Sequence, residues 1–380
     1  DQMMVFPLAK QTSVERSVEM SNSKIVNYYV TETLDQNAAV PFMFNPTPGF
    51  SLSYVLNAST NAVRQVYSDQ NSAYSYGIAI AGSTVYLLGN TTHSTPIGEL
   101  LTFSGYMGIT SSTSQVLIVD GADGYVYDIT AETLTEVTSE HFPNNPLDCV
   151  FFNNYFVVAQ SASNQWFISA AGSATTWNAQ NSVTFNAKAD TLQGVAAVNN
   201  SLFIFGNYTI EVWYPQAQGT FPFTYNNNLL FEYGCIATGS IAEGQGILIW
   251  LAGDKNGVGS VYLTEGSRPI PISTKEVDLA IRNYPNVKDA IGFIYKEAGH
   301  VFYQLTFQEA NVSWLADLTP TNGEFKWVNI EDHTGGRHVA TCHTYWKERH
   351  LIGNRHGSYI NNLSSNILTE DGVAVKRSVQ

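Results

Sequence analysis

Charge is scarce in this sequence, and positive charge scarcer still: 18 Lys and Arg stand against 32 Asp and Glu, only 13% of the residues, for a net −14. Every DNA phosphate that a protein neutralises needs a Lys or Arg beside it, so tight wrapping of nucleic acid through its backbone is excluded. A duplex sliding past a surface of acids is not excluded, because repulsion keeps it from sticking. Cysteine is limited to Cys149, Cys235 and Cys342. They are odd in number, far apart, outside any C-x-x-C and set beside apolar strands, which reads as three buried small hydrophobes and not as a disulfide framework or a metal site. No apolar run approaches the ~18 residues of a membrane-spanning helix, and no basic-then-apolar leader opens the chain. H-E-x-x-H, a nucleophile elbow, a P-loop and a dinucleotide-binding glycine run are all missing.

Aromatic residues are plentiful, with 21 Tyr, 20 Phe and 7 Trp. That favours strands, while so little charge leaves few residues for the outer faces of amphipathic helices. A length of 380 residues suits one large β domain or two ordinary ones.

The stretch 192–284 organises the rest. An apolar run from Leu192 to Val198 turns at Asn199-Asn200, climbs through Ser201-Leu202-Phe203-Ile204-Phe205 to Gly206, and returns as Thr209-Ile210-Glu211-Val212-Trp213-Tyr214. This is a three-strand meander with reversals at residues that tolerate positive φ. One such meander is not stable alone. Units of the same build open near Tyr76, Val116, Cys149, Ile236, Ala290 and Val339, spaced roughly 33 to 54 residues apart, the spacing of four-stranded propeller blades. The predicted fold is therefore all-β, a propeller of six or seven blades with long inter-blade loops. The competing architecture is a pair of unrelated sandwiches or barrels.

Residues 1–45 read as an N-terminal arm, 46–365 as the propeller and 366–380 as a C-terminal tail. Pro46, Pro48 and Gly49 force a corner, and the segment after Pro48 is expected to close the ring by pairing with strands near 339–360, so that no edge is left free. Ser273-Thr274-Lys275-Glu276 resembles a helix cap before 277–284, which Pro285 ends. Among the long loops, 214–233 carries aromatics on a proline-stiffened segment. Tyr214, Pro215, Phe221, Phe223 and Tyr225 are the candidate subunit-contact residues, the other reading being a loop folded back over its own blade.

Chemistry is harder to find. His338 and His343 fall at odd spacing on a predicted strand, hence on opposite faces, and no carboxylate stands at metal-triad spacing, so neither a metal nor a cofactor is expected. Asp120-Gly121-Ala122-Asp123-Gly124 and Gly253-Asp254-Lys255-Asn256-Gly257 are explained as Asp-Gly turns between strands, not calcium loops. A glycosidase needs two facing carboxylates. Asp69, Asp120, Asp254 and Asp332 are available, but nothing in their local sequence picks out a pair. A carbohydrate-binding or carbohydrate-cleaving propeller acting in receptor recognition is thus the alternative to a structural, non-enzymatic role.

Phe205-Gly206-Asn207-Tyr208-Thr209-Ile210-Glu211-Val212-Trp213 resembles the F-G-x-x-T-I-E-x-aromatic strand pair of the packaged-DNA stabilisation proteins, the tail hub or nozzle proteins of short-tailed bacteriophages. Glu15-Arg16-Ser17-Val18, Asn27-Tyr28-Tyr29-Val30 and Thr47-Pro48-Gly49-Phe50 are similar to that family's arm and T-P-G-aromatic corner. Tyr233-Gly234-Cys235-Ile236-Ala237, Val261-Tyr262-Leu263 and Ile272-Ser273-Thr274 follow in the family's order, and Trp166-Phe167-Ile168-Ser169 matches a short family strand. The resemblance implies a virion protein of the phage tail. It implies a homo-oligomeric ring of six copies below the portal and its adaptor, with DNA passing through the lumen without sequence-specific binding. Tail fibre, spike or needle proteins are the further partners that it implies.

Overall fold

The computed structural model describes residues 24–32, 42–57, 60–68, 75–185, 190–321 and 324–379. Seven antiparallel sheets follow one another along the chain, each running from an innermost strand outward. The innermost strands are Val63–Tyr67, Gly108–Ser111, Pro146–Phe152, Leu192–Val198, the pair Gly234–Cys235 and Ala242–Gly244, Ile291–Glu297, and Ala340–Trp346. These open blades 1 to 7 of a β-propeller, which settles the expected six or seven as seven. The single α-helix among the described residues, Lys275–Arg282, begins and ends two residues before the expected 277–284, with the Thr274 side chain accepting from the Val277 N–H as its cap.

The middle strands of these blades have almost no solvent face, unlike outer strands such as Ser94–Glu99 and Thr133–Glu136. In Ser201–Gly206, which is buried throughout, Leu202 and Ile204 point into the core shared with blade 3, while Phe203 and Phe205 point into the core shared with blade 5. Strands covered on both sides read as continuous apolar runs and not as alternation, which is why the middle hairpins stand out in the sequence. Each of the seven blade junctions has its own apolar cluster. All seven Trp side chains lie within these layers, none more than 8% exposed.

The repeat units differ from the sequence reading in their starting points. The runs opening at Tyr76 and Val116 are the middle hairpins of blades 1 and 2, Ile78–Ala81 with Thr84–Leu88 and Gln115–Val119 with Gly124–Asp128. Their innermost strands lie upstream, at Val63–Tyr67 and Gly108–Ser111. Gly and Asn turns between apolar runs mark the middle hairpins, whereas Gly108–Ser111 is only four residues long and Val63–Tyr67 is separated from its partner by ten residues.

The ring closes through the N-terminal part of the chain. Gly49–Val55 is the fourth strand of blade 7, paired antiparallel with Tyr359–Ser364 from Tyr359↔Val55 to Ser364↔Gly49. Beyond it, Thr369–Glu370 and Val373–Ala374 add a short hairpin. On blade 6, Ile25–Val26 pairs parallel to Glu324–Ile330, and Ser378–Val379 pairs with Ile25–Val26 in turn. Tyr28–Glu32 and Phe42–Pro46 form a separate two-stranded sheet. Its Tyr29 and Val30 fill the core between blades 6 and 7 against Phe293, Tyr295 and Phe302.

Candidate functional site: the axial channel

The innermost strands of all seven blades surround a cavity of about 1550 Å³. Spread along inner strands of up to seven residues, ~20 Å at ~3.3 Å per residue, this volume corresponds to a bore on the order of 10 Å. A B-form duplex, whose major groove alone is ~12 Å wide, does not fit such a hole.

Hydrogen bonds and ring contacts join the blades around this wall. The Tyr67 hydroxyl lies 2.8 Å from Ser111 Oγ between blades 1 and 2, and Phe151 N donates to Thr110 Oγ1 (2.8 Å) between blades 2 and 3. Thr238 Oγ1 donates to the Gln193 carbonyl (2.6 Å) between blades 4 and 5, and the Tyr303 hydroxyl to the Ser240 carbonyl (2.8 Å) between blades 5 and 6. Thr341 Oγ1 donates to the Val63 carbonyl (2.5 Å), joining blade 7 to blade 1.

Asp148 spans three blades. Its carboxylate accepts from the Tyr106 hydroxyl on the approach to blade 2 (3.0 Å), from Cys149 N in its own strand (3.0 Å) and from Val195 N of blade 4 (3.0 Å). Gly108 and Gly194 leave room for it, since a Cβ at either would lie 2.9 Å from a carboxylate oxygen. Burial pushes this carboxyl up to about 7, against the pull of its three donors.

Between blades 6 and 7 the wall carries a chain of side chains. His350 Nε2 lies 3.4 Å from Glu297 Oε2, and His350 Nδ1 lies 2.9 Å from His343 Nε2. The His343 ring stacks on Phe293 at 5.3 Å. Desolvation pushes His343 down to about 3, with the neighbouring His350 acting in the same direction, so the pair is neutral near pH 7 and serves as packing and polar tether. His338 precedes the strand instead of sharing it. Its Nδ1 lies 3.2 Å from Ala340 N and 3.2 Å from Gln304 Nε2, an acceptor position that matches a ring held down to about 4 by burial.

The acids considered for a glycosidase are structural. Asp120 accepts from Thr102 N, Ala122 N and Asp123 N. Asp332 holds Arg355 (2.9 Å) and the turn at Thr334 and Gly336. Asp254 caps its hairpin through Asn256 N (2.7 Å). Asp69 lies outside the described residues. Among the described residues no group of three metal-ligating side chains occurs, and Cys149, Cys235 and Cys342 are buried free thiols.

The candidate contact residues come together on the outer hairpin of blade 4, where Trp213 pairs with Tyr225 and Pro215 with Phe223. Phe223 is buried, and the Phe221 ring packs at 5.9 Å from Trp166 and 6.3 Å from Trp213. The segment is thus folded over blades 3 and 4, leaving Tyr214, Pro215, Phe221 and Tyr225 partly exposed.

The stretch Phe205 to Trp213 owes its form to a residue the sequence reading passed over. Asp190 Oδ1 accepts from Asn207 N (3.0 Å), and Oδ2 from Tyr208 N (2.8 Å), Thr209 N (3.1 Å) and Thr209 Oγ1 (2.9 Å). A Cβ on Gly206 would stand 2.3 Å from Oδ2, and Glu211, 1% exposed, accepts from Trp213 Nε1 at 3.2 Å. Gly206, Thr209 and Glu211 in this stretch therefore meet local steric and hydrogen-bonding demands.

No curated protein matches the chain. Two solved structures similar to it are the WD40 β-propeller domain of Doa1 (12% identity, 83% of this chain and 97% of that one, TM-score 0.48) and the computationally designed Ika8 protein (10% identity, 82% and 99%, TM-score 0.48). The family model described as bacteriophage P22 Gp10, beta-propeller, matches residues 22–368. With nearly the whole chain matched and seven blades observed, the protein belongs to the bacteriophage P22 Gp10 β-propeller family of packaged-DNA stabilisation proteins.

Proposed function

We propose that the protein is a structural component of the virion tail, a hub or nozzle subunit without enzymatic activity. Copies assemble into a ring below the portal and its adaptor, extend the DNA channel and help to close it after packaging. The observation that carries this reading is the family match over residues 22–368 on a disc whose seven blades are sewn together around their axis. A closed propeller has no free sheet edge at its seam and holds its shape under load, while its loops vary independently to meet several partners. On this reading the adaptor, and fibre, spike or needle proteins, meet those loops. Because the bore of one propeller is too narrow for a duplex, the DNA passes between copies. The excess of 32 acids over 18 bases keeps the contact weak and free of sequence preference.

The carbohydrate reading asks for exposed Trp and Tyr around a central pocket with a facing carboxylate pair, and of these Tyr106 and Tyr345 do line the axial cavity. All seven Trp side chains are buried, and the described candidate acids serve turns. A direct test deletes the gene from its phage and follows filled heads after packaging. The expected result is particles that package DNA and then release it to added nuclease. Particles that retain their DNA would overturn the proposal.

A further inference from the structure

The loop at 100–107, on the approach to blade 2, is fixed from four sides. Arg64 donates to the carbonyls of Gly82 (3.0 Å), Thr102 (2.9 Å) and Ser104 (3.0 Å) and to Thr102 Oγ1 (3.0 Å). Asp120 Oδ2 accepts from Thr102 N (2.9 Å), the Tyr125 hydroxyl from Leu101 N (2.8 Å), and Asp148 from the Tyr106 hydroxyl (3.0 Å). This rigid frame holds Leu101 69% exposed and Phe103 59% exposed. A loop so restrained presents its apolar side chains without paying ordering entropy on binding, as preorganised interface anchors do.

A second apolar patch lies on the rim of blade 7. Leu52 (53% exposed), Val55 (48%) and Tyr359 (37%) share one face of the closing strand and its partner, since Val55 pairs with Tyr359 and Leu52 with Asn361. Asp371 lies against this patch, its carboxylate held by Asn361 Nδ2, 2.9 Å from both oxygens, and by the Leu52 backbone N–H.

Both patches belong to segments without any Asp, Glu, Lys, Arg or His: 100–119 for the loop, 36–63 and 357–369 for the rim. In a chain of net charge −14 this points to the partner. A cationic partner is met by acids, whereas one that shares the chain's own negative charge can approach closely only where acids are missing. We infer that copies of this chain contact one another through these two unlike surfaces, the loop carrying Leu101 and Phe103 of one copy seating on the Leu52–Val55–Tyr359 rim of the next. A contact between two different patches is heterologous, the type that generates rings. The inference rests on the ring reading above and adds the surfaces that build it.

The test is sedimentation velocity on the full-length chain over a range of concentrations, with thermal melts as the folding control. Two double variants are compared, Leu101→Ser with Phe103→Ser, and Leu52→Ser with Val55→Ser. Each weakens self-association by about tenfold or more while melting like the parent. Mixed together, the two restore a 1:1 dimer and nothing larger, because each retains the surface that the other has lost. If the parent assembles and neither double variant changes it, or only Tyr214→Ser with Tyr225→Ser does, this inference is wrong and the ring stands. A parent that stays monomeric at every concentration overturns both.

Discussion

Asp190→Asn tests whether the stretch Phe205 to Trp213 is shaped by one carboxylate. Asp190 is 6% exposed, and its two oxygens accept four donors from Asn207, Tyr208 and Thr209, three of them backbone N–H groups. An Asn amide has one acceptor oxygen. Whichever way it is turned, its NH₂ faces two N–H groups that have lost their acceptor, those of Thr191 and Asn207 on one side or of Tyr208 and Thr209 on the other, and Gly206 sits too close for the side chain to back away. Leaving a buried donor unsatisfied costs about 1–3 kcal/mol, and losing a carboxylate acceptor sits at the upper end of that range. Two disrupted donors bring the expected loss to about 4 kcal/mol. Unfolding entropy of ~2.1 cal/mol/K per residue over 380 residues gives about 0.8 kcal/mol/K, so the melting temperature falls by about 5 °C. Differential scanning calorimetry near neutral pH reads this directly. Asp254→Asn is the control, an exposed-turn carboxylate accepting from Asn256 N, expected to move the melt by less than about 1 °C. If Asp190→Asn melts within about 1 °C of the parent, the stretch is not held by this side chain and the account of it fails.

Gly206→Ala places a methyl 2.3 Å from Asp190 Oδ2 and 3.0 Å from the Phe185 ring; a loss of about 1–3 kcal/mol, typical of overpacking, is expected in urea unfolding, and an unchanged midpoint would show that the clasp can yield. Asp148 titrates near 7 when folded against 3.8 ordinarily, so the folded state holds the proton more tightly. Its contribution is fullest below about pH 4 and is lost as pH rises towards 7. Relative to the parent, Asp148→Asn therefore gains on the order of 2–3 kcal/mol between about pH 5 and pH 8; a difference independent of pH would mean that Asp148 is ionised throughout. Tyr54 is fully buried on the closing strand, donating to the Gly89 carbonyl and accepting from Arg349 Nη2, both at 3.0 Å. Tyr54→Phe should cost about 1–2 kcal/mol, and a melt equal to the parent's would remove that bond from the closure.

The propeller was legible because its hairpins are local. The turn at Asn199, with φ 52°, and the one at Gly82, with φ 58°, sit between apolar runs that signal two-sided burial before any partner is known. The closing strand was legible for a related reason: the corner at Pro48 and Gly49 sets apart an extended segment that needs a sheet to join. The inner strands of blades 1 and 2 were harder to place as blade openings: Val63–Tyr67 reads as a strand, but ten residues separate it from its partner Ile78–Ala81, and Gly108–Ser111 is only four residues long. The channel wall was harder still. Arg64 reaches Ser104 and Asp148 reaches Val195, contacts that exist only after separate blades have come together. His343 and His350 meet across a hairpin, and their placement beside Glu297 and Phe293 depends on the blade 6 to blade 7 junction. The hairpin bearing Tyr214 and Tyr225 shows the converse: an aromatic-rich loop reads as a contact surface, and much of its apolar area is used on its own blade.

The account turns on where DNA runs relative to these discs, and electron cryo-microscopy of the intact tail with its DNA in place measures that. It predicts several copies of the seven-bladed disc around one central lumen, duplex density between the copies, and no duplex in the bore of any single propeller. Duplex density threading one propeller's own axis, or discs placed away from the DNA path, would contradict it.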